Sequence, residues 1–514
     1  MQRSIATTLP RSPRVGLGGH GPIGRLQLAL ERADPAHIGL FFVTLALGIY
    51  AFSNPSRSGF YNHFVWQADA FLHGRFVISY PVTQGLFTNS YFQDVMALPS
   101  VPGARSYGLL PFPPLPALVL MPFVAIFGLA TNSQLVGVVI GAVNVGLAWR
   151  MTSRLTASRE AAFLATLFFA FGTVHWYAAM LSTTWFLAHV LALTFVLLGV
   201  TLALDAEAQE RVRTRLHELG EAAATRRGGL AETFEQRSLF LAWYRRLRGQ
   251  INPLQFMAGF VFGLGALARL PVIFGAPFFL FVGGGGSFSK RGLSAGLGAA
   301  IPLALLLIYN VAATGHVFNP AYDYLYRTEY LGYLPPDPGK PMALHCLLAQ
   351  DFCAGLKIDR SLGIEDIGHI PINAVVMLGW LPIVQPECGP AVLNPDCALI
   401  KPDAIGMSVL LTSPAYLLAI PIIVRAWRRR LVIGASLAVL AIALVNLMHF
   451  SQGWVQFGYR FSNDFAPFAL ILVTLAIAWL GARSKLLIGL AIALVAASII
   501  INAWGVYWGV TQGW

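Results

Sequence analysis

Residues 58–76, SGFYNHFVWQADAFLHGRF, gather imidazole, carboxamide and carboxylate groups directly after an apolar run. A helix beginning near Tyr61 lines up Asn62, Trp66, Asp69 and His73 on one face and His63 and Gln67 on its neighbour. A carboxylate on a half-apolar face is costly unless it is solvated, paired or used, which sets Asp69 apart from its neighbours. An aromatic-rich helix lying in a membrane interface accounts for the same residues without catalysis. Farther on, NSYFQDVMALP adds a second acid, Asp94. GLGALARLP sets Arg269 inside an apolar run, where its natural partner is a phosphate, an anionic headgroup or an acid; snorkelling to the interface is the competing account. SQGWVQFGYRFSNDFAPF carries Arg460 and Asp464 four residues apart, either an ion pair along a helix or an arginine that grips a lipid phosphate.

No Walker A, HExxH or GxSxG motif and no metal-ligand cluster occurs. GGGG at 283–286 lacks the strand and the Lys-Ser/Thr pair of a phosphate-binding loop, so it reads as a flexible turn. No cofactor is expected, and the sequence indicates no divalent metal.

These groups belong to a chain of 514 residues that is 56% hydrophobic and 11% charged, with mean hydropathy +0.64. No soluble core of this size hides that balance from water, so the expected fold is an all-α polytopic membrane protein with interfacial helices outside the spans. Apolar runs lie near residues 37–53, 109–129, 134–149, 160–178, 182–204, 254–282, 293–314, 405–424, 431–449, 465–481 and 486–504. At roughly 20 residues per crossing they make about 11 transmembrane helices, 13 at most. The formal charge of +12 sits beside these runs, as the positive-inside rule requires, so nucleic acid is not an expected partner. Pro113, Pro114 and Pro116 remove backbone donors at the entrance to one run, which marks a cavity wall or a helix N-terminus.

RAWRRR at 425–430 orients the chain, placing the N-terminus in the cytoplasm and the C-terminus outside an inner (plasma) membrane. The expected division is a cytoplasmic tail, 1–36, without the apolar core of a signal peptide; a transmembrane module, 37–314, with an external loop at 54–108; an external loop, 315–404; and C-terminal helices, 405–514. The insert 205–250, with nine Arg and seven acids, reads as an amphipathic or solvated helix pair. Strict alternation through 11 spans puts it outside. It becomes cytoplasmic if 254–282 is two short helices broken at Pro271 and 109–129 only dips into the membrane, the preferred topology. Cys346, Cys353, Cys388 and Cys397 share the 315–404 loop, so up to two disulfides are expected, with local pairs favoured among three connectivities.

In order along the chain, ADAFLHGRF, PFPPLPAL, GLGALARLP, NPAYDYLYRTEY and GWVQFGYRFSNDFAPF resemble the GT-C superfamily of integral membrane glycosyltransferases. The branch is the one similar to protein O-mannosyltransferases and the lipid A aminoarabinose transferase, family 39-like. The resemblance implies a polyprenyl-phosphate-linked sugar as donor, a protein, lipid or glycan acceptor on the external face, surrounding membrane lipids as partners, and an inverting displacement. It also implies Arg269 and Arg460 as phosphate-binding groups, Asn62, Tyr322 and Asp464 as substrate-binding groups, and Asp69 or Asp94 as base. The acid that family members carry directly after the first span is missing here, where Gly59–His63 reads GFYNH. That leaves Asp69, Asp94 or His63 as base, or a protein that binds a lipid-linked sugar without turning it over. A transporter or flippase carries ionisable groups through several spans and often an internal repeat; here the spans hold chiefly His175, His189 and Arg269.

Overall fold

A computed structural model describes residues 30–55, 62–80, 94–98, 106–227, 250–326, 362–451, 453 and 455–512. Every apolar run is a helix or a broken pair of helices. Helix α1 (Pro35–Ser53) is followed by the short α2 (His63–Leu72), α3 (Leu115–Phe127), α4 (Ser133–Leu155), α5 (Arg159–Phe171), α6 (His175–Leu181) and α7 (Thr184–Arg227). Then come α8 (Pro253–Ala266), α9 (Pro277–Phe281), α10 (Phe288–Thr314), α11 (Ala321–Leu325) and α12 (Ile370–Gly379). The chain closes with α13 (Val409–Thr412), α14 (Ala419–Ala426), α15 (Arg430–Met448), α16 (Ser462–Gly481) and α17 (Lys485–Thr511). Among the described residues, seven helices are long and apolar enough to cross a membrane, and α5 with α6, bent by 47°, makes an eighth. The remaining apolar runs are shorter helices.

Local signals set the helix starts. Asp34, Asn132, Ser158, Asn252, Ser287 and Ser484 cap the first turns of α1, α4, α5, α8, α10 and α17, and Pro stands at the first position of α1 and α8. Helix α7 runs without a proline from the apolar run into the charged insert. At 1.5 Å per residue it is about 66 Å long, more than twice a bilayer core. The first part of the insert is thus a continuation of a span, and 228–249 lie outside the described residues.

Between α7 and α10 the chain enters the bundle and returns. Helix α8 is about 21 Å long, too short to cross, and gives way after Ala266 to the extended Arg269 and a 3-10 turn, Leu270–Gly275, that leads into α9. Both arms of this hairpin leave at one end, because Gln255 near the start of α8 donates to Phe279 O at 3.1 Å and Val282 O at 3.2 Å at the end of α9. The same end holds Arg154 bonded to Asp205, and Arg159 bonded to the carbonyls of Leu30, Glu31 and Ala33. Arg211, Arg215, Arg291 and Arg430, with Glu207, Glu210 and Glu218, line a cavity there of about 440 Å³. Lys290 adjoins Arg291 in sequence, and Arg425, Arg428 and Arg429 adjoin Arg430, so this end of the bundle is net basic. Arg269, at the hairpin tip, points to the other.

The hairpin is held by backbone-close packing. A Cβ at Gly298 of α10 would lie 2.1 Å from Phe256 O in α8, whereas a Cβ at Gly296 meets nothing within 4 Å. Gly298→Ala is expected to lower stability by about 1–3 kcal/mol, and Gly296→Ala to leave it unchanged or raise it slightly. Thermal unfolding in detergent compares the two; equal melting temperatures would contradict this packing.

At the end opposite the basic one, the first loop forms a three-stranded antiparallel sheet that the sequence reading did not anticipate. Strands β1 (Ile78–Tyr80) and β2 (Met96–Ala97) flank β3 (Ser106–Leu109), with Ile78 opposite Gly108 and Met96 opposite Leu109. A second small sheet pairs β4 (Ile383–Val384) with β5 (Ile400–Lys401) beside the Cys388–Cys397 disulfide, one of the two favoured local pairs. Cys346 and Cys353 lie outside the described residues.

Candidate active site

The first turn of α16 carries Asp464, whose side chain is fully buried. Its carboxylate accepts Arg269 Nε at 2.7 and 2.8 Å, lies 2.9 Å from His189 Nδ1 and accepts Asn446 Nδ2 at 3.1 Å. One anion thereby ties the hairpin tip to α7, α15 and α16, and it sits where the helix dipole favours negative charge. The i, i+4 spacing pointed to Arg460 as its ion-pair partner. The observed partner is Arg269, 195 residues away, because the break at Leu267–Leu270 turns that side chain toward α16.

Arg460 is left to other contacts. Its guanidinium carbon lies 5.3 Å from the centre of the Phe461 ring, 5.7 Å from Phe186 and 5.9 Å from Trp185. Among the described residues its Nε has no hydrogen-bond partner. Arg269 lies over the same Phe461 ring at 4.6 Å, and its bonds to Asp464 use only Nε. Two cations thus flank one aromatic ring with donors unspent. Buried polar groups without partners are rare, and arginine donors left open beside an apolar wall suit an anion with several acceptor oxygens. Burial and the neighbouring Arg269 pull the Arg460 pKa down to about 10, so it remains charged at neutral pH.

Asp94 approaches from the first loop, two residues before β2. Its φ of 62° is in the left-handed region, which Asp tolerates better than most residues. Its Oδ2 accepts Trp185 Nε1 at 2.7 Å, so Trp185 touches both this carboxylate and Arg460. Burial pushes the Asp94 carboxyl above its ordinary range, opposed by the Trp185 hydrogen bond and by the charges of Arg460 and His449.

No family model and no curated relative matches the sequence. A solved structure similar to the chain is the Archaeoglobus fulgidus oligosaccharyltransferase in its apo form, at 13% identity and a TM-score of 0.43. That alignment covers 91% of this chain and 56% of the other, so the chain spans little more than half the length of that protein.

The remaining sequence candidates divide. His63 is buried beneath the site, with Nδ1 2.8 Å from Thr184 Oγ1 and its ring 5.9 Å from Trp185 and 6.1 Å from Phe112. Tyr322 packs edge-on against Phe112 at 6.5 Å; its pKa is pushed up to about 12, by burial first and then by Asp94 and Glu365, so it stays a hydroxyl donor. Asn62 precedes α2 and accepts Ser133 Oγ at 3.0 Å. Asp69 faces the other way, 3.5 Å from His73 and 3.7 Å from Arg75. Among the described residues no group of three or more His, Cys, Asp or Glu could hold a metal.

Sequence reasoning missed Phe461 and Trp185, which join the charged groups, and the pair His449–Glu365, bonded at 2.7 Å with the His449 ring 6.4 Å from Phe461. The run HFSQGW, directly after an apolar span, was the available signal for His449.

Proposed function

We propose that the chain is a GT-C-type membrane glycosyltransferase, of the protein O-mannosyltransferase and aminoarabinose transferase branch. It moves a sugar from a polyprenyl-phosphate carrier to a protein, lipid or glycan hydroxyl outside an inner membrane. The observation that carries this reading is the pair of guanidinium groups on Phe461 with donors unspent, beside an elevated carboxylate. In the reaction Asp94 takes the acceptor proton, the acceptor oxygen attacks the anomeric carbon, and the carbon–oxygen bond to phosphate breaks with inversion. The electron pair stays on the phosphate, where Arg269 and Arg460 meet its charge. The basic end of the bundle faces the cytoplasm by the positive-inside rule, which leaves the site outside with the N-terminus inside.

The test is incubation of the protein, reconstituted in vesicles, with polyprenyl-phosphate sugars and an acceptor extract, reading released polyprenyl phosphate. Asp94→Asn is expected to cut release about 10²–10⁴-fold, and Asp69→Asn to leave it within about threefold because Asp69 faces His73 and Arg75. Movement of intact donor across the vesicle without release would favour a flippase instead. Because burial raises the Asp94 carboxyl, the ionised base is lost as pH falls at a higher pH than for an exposed aspartate. Trp185→Phe removes a hydrogen bond to the carboxylate, so the acidic limb of the rate profile moves to still higher pH. An unmoved limb would count against Asp94 as base.

A further inference from the structure

His449 follows the last residue of α15 and is fixed from several directions. The 362–373 segment is stitched to this helix end by Asp366 N to Met448 O and Phe450 N to Ile364 O, both 2.8 Å, and Asn373 Nδ2 donates to His449 O at 2.7 Å. The His449 ring lies tilted against Phe450, with centroids 4.6 Å apart, and its Nδ1 lies 2.7 Å from Glu365 Oε1. An ionised carboxylate only accepts, so Nδ1 is the donor and Nε2 is the atom left for chemistry. Nε2 makes no hydrogen bond among the described residues. Phe461 stands 6.4 Å from this imidazole and also carries both guanidinium groups. The side chains of His449 and Glu365 are 23% and 47% exposed, so the pair lies toward the mouth of a site whose floor is the fully buried Asp464.

Charge accounts for what such a pair adds. Arg269 is neutralised by Asp464, and Arg460 acts against Asp94. A departing phosphate gains a second negative charge as its bond to the sugar breaks, and among the described residues Arg269 and Arg460 are the only cations over Phe461 to meet it. The charged groups about the imidazole are Glu365, bonded to it, and Asp94, with Arg269 and Arg460 across Phe461 and the neutral Tyr322 hydroxyl nearby.

Resting on the glycosyl-transfer reading, we infer that His449 is a catalytic acid for the leaving phosphate and Glu365 the residue that positions it. As the carbon–oxygen bond breaks and its electrons pass to the phosphate oxygen, imidazolium Nε2–H gives its proton to that phosphate. The acceptor's proton goes to Asp94, and solvent returns one proton to His449 and removes one from Asp94, so the cycle closes without a co-reactant.

The experiment compares wild type, His449→Gln and Glu365→Gln in steady-state turnover and in binding of polyprenyl monophosphate between pH 6 and 8. His449→Gln should lower kcat about 10²-fold with donor KM within about threefold, and should lose the basic limb of the kcat profile. Glu365→Gln, a change at a half-exposed carboxylate that does not threaten folding, should keep that limb but move it to lower pH. Wild type should take up a proton on binding polyprenyl monophosphate at pH 7 that His449→Gln does not; the phosphate's own titration is common to both proteins, so their difference reads the imidazole. An active wild type with unchanged kcat and an unchanged basic limb in His449→Gln overturns this role and leaves glycosyl transfer standing. A wild type that releases no polyprenyl phosphate from any donor overturns both.

Discussion

In an Arg460→Ala protein, polyprenyl phosphate release falls about 10³-fold, while the apparent melting temperature holds or rises. Both halves follow from the surroundings of this side chain. Arg460 is half-buried as a residue, but its guanidinium lies over Trp185, Phe186 and Phe461, and its Nε is buried with no hydrogen-bond partner among the described residues. Removing it therefore breaks no hydrogen bond at Nε and takes a poorly solvated cation away from Arg269, while Asp94, which loses a favourable charge and is already pushed up by burial, takes up a proton. The loss falls on the ligand. A phosphate that develops charge as its bond to the sugar breaks needs donors already in place in a low-dielectric site. Arg460→Lys should recover only part of the rate, because an ammonium is a point charge without the planar fork that fits two phosphate oxygens. Rate and melting temperature on the same preparation decide the matter. A variant that is unstable and proportionally inactive would mark Arg460 as a structural residue, and a stable, fully active one would remove it from the site.

The apolar runs were legible because a bilayer demands about 20 residues per crossing and leaves little freedom in composition. Arg269 was legible for the complementary reason, as a charge where charges are expensive. What could not be read was who meets whom. Arg460 and Asp464 are four apart and look like a pair, yet the carboxylate is taken by Arg269 because its own extended backbone and the turn at Pro271 redirect the chain. Phe461 is one of 35 phenylalanines, and nothing local distinguishes the one whose ring carries two cations. The three-stranded sheet that delivers Asp94 uses strands of two to four residues, too short for an alternating pattern to emerge. The continuity of α7 into the charged insert, by contrast, was available: no proline interrupts 184–227, and arginine and glutamate are good helix formers. The tip of the α8–α9 hairpin and the Pro-rich entrance of α3 were both suspected as irregular, and they meet, with Leu115 N bonded to Leu267 O at 3.0 Å. Backbone that cannot complete a helix at this depth finds its partner in other backbone that cannot.

Asp464→Asn should be the most damaging single change to the fold near the site. The substitution keeps the volume and removes only the charge, yet that charge is held by Arg269, His189 and Asn446 on three other elements. Without it the Arg269 cation faces Arg460 across Phe461 with nothing to offset it, and one amide oxygen replaces two carboxylate oxygens as acceptor. Breaking one partner of a buried ion pair costs about 3–5 kcal/mol, so the apparent melting temperature in detergent should drop sharply and activity with it. The double replacement Asp464→Leu with Arg269→Met separates the two roles. Well-packed apolar residues of similar size often replace a buried ion pair without loss of stability, so the double variant should melt close to wild type, while sugar release stays abolished because one phosphate-binding arm is gone. A double-mutant cycle on the melting data should then give a coupling of more than about 1 kcal/mol between the two positions. Additive effects would mean that Asp464 is held for its own hydrogen bonds alone, and that the site does not need this pair to hold Arg269 against Phe461.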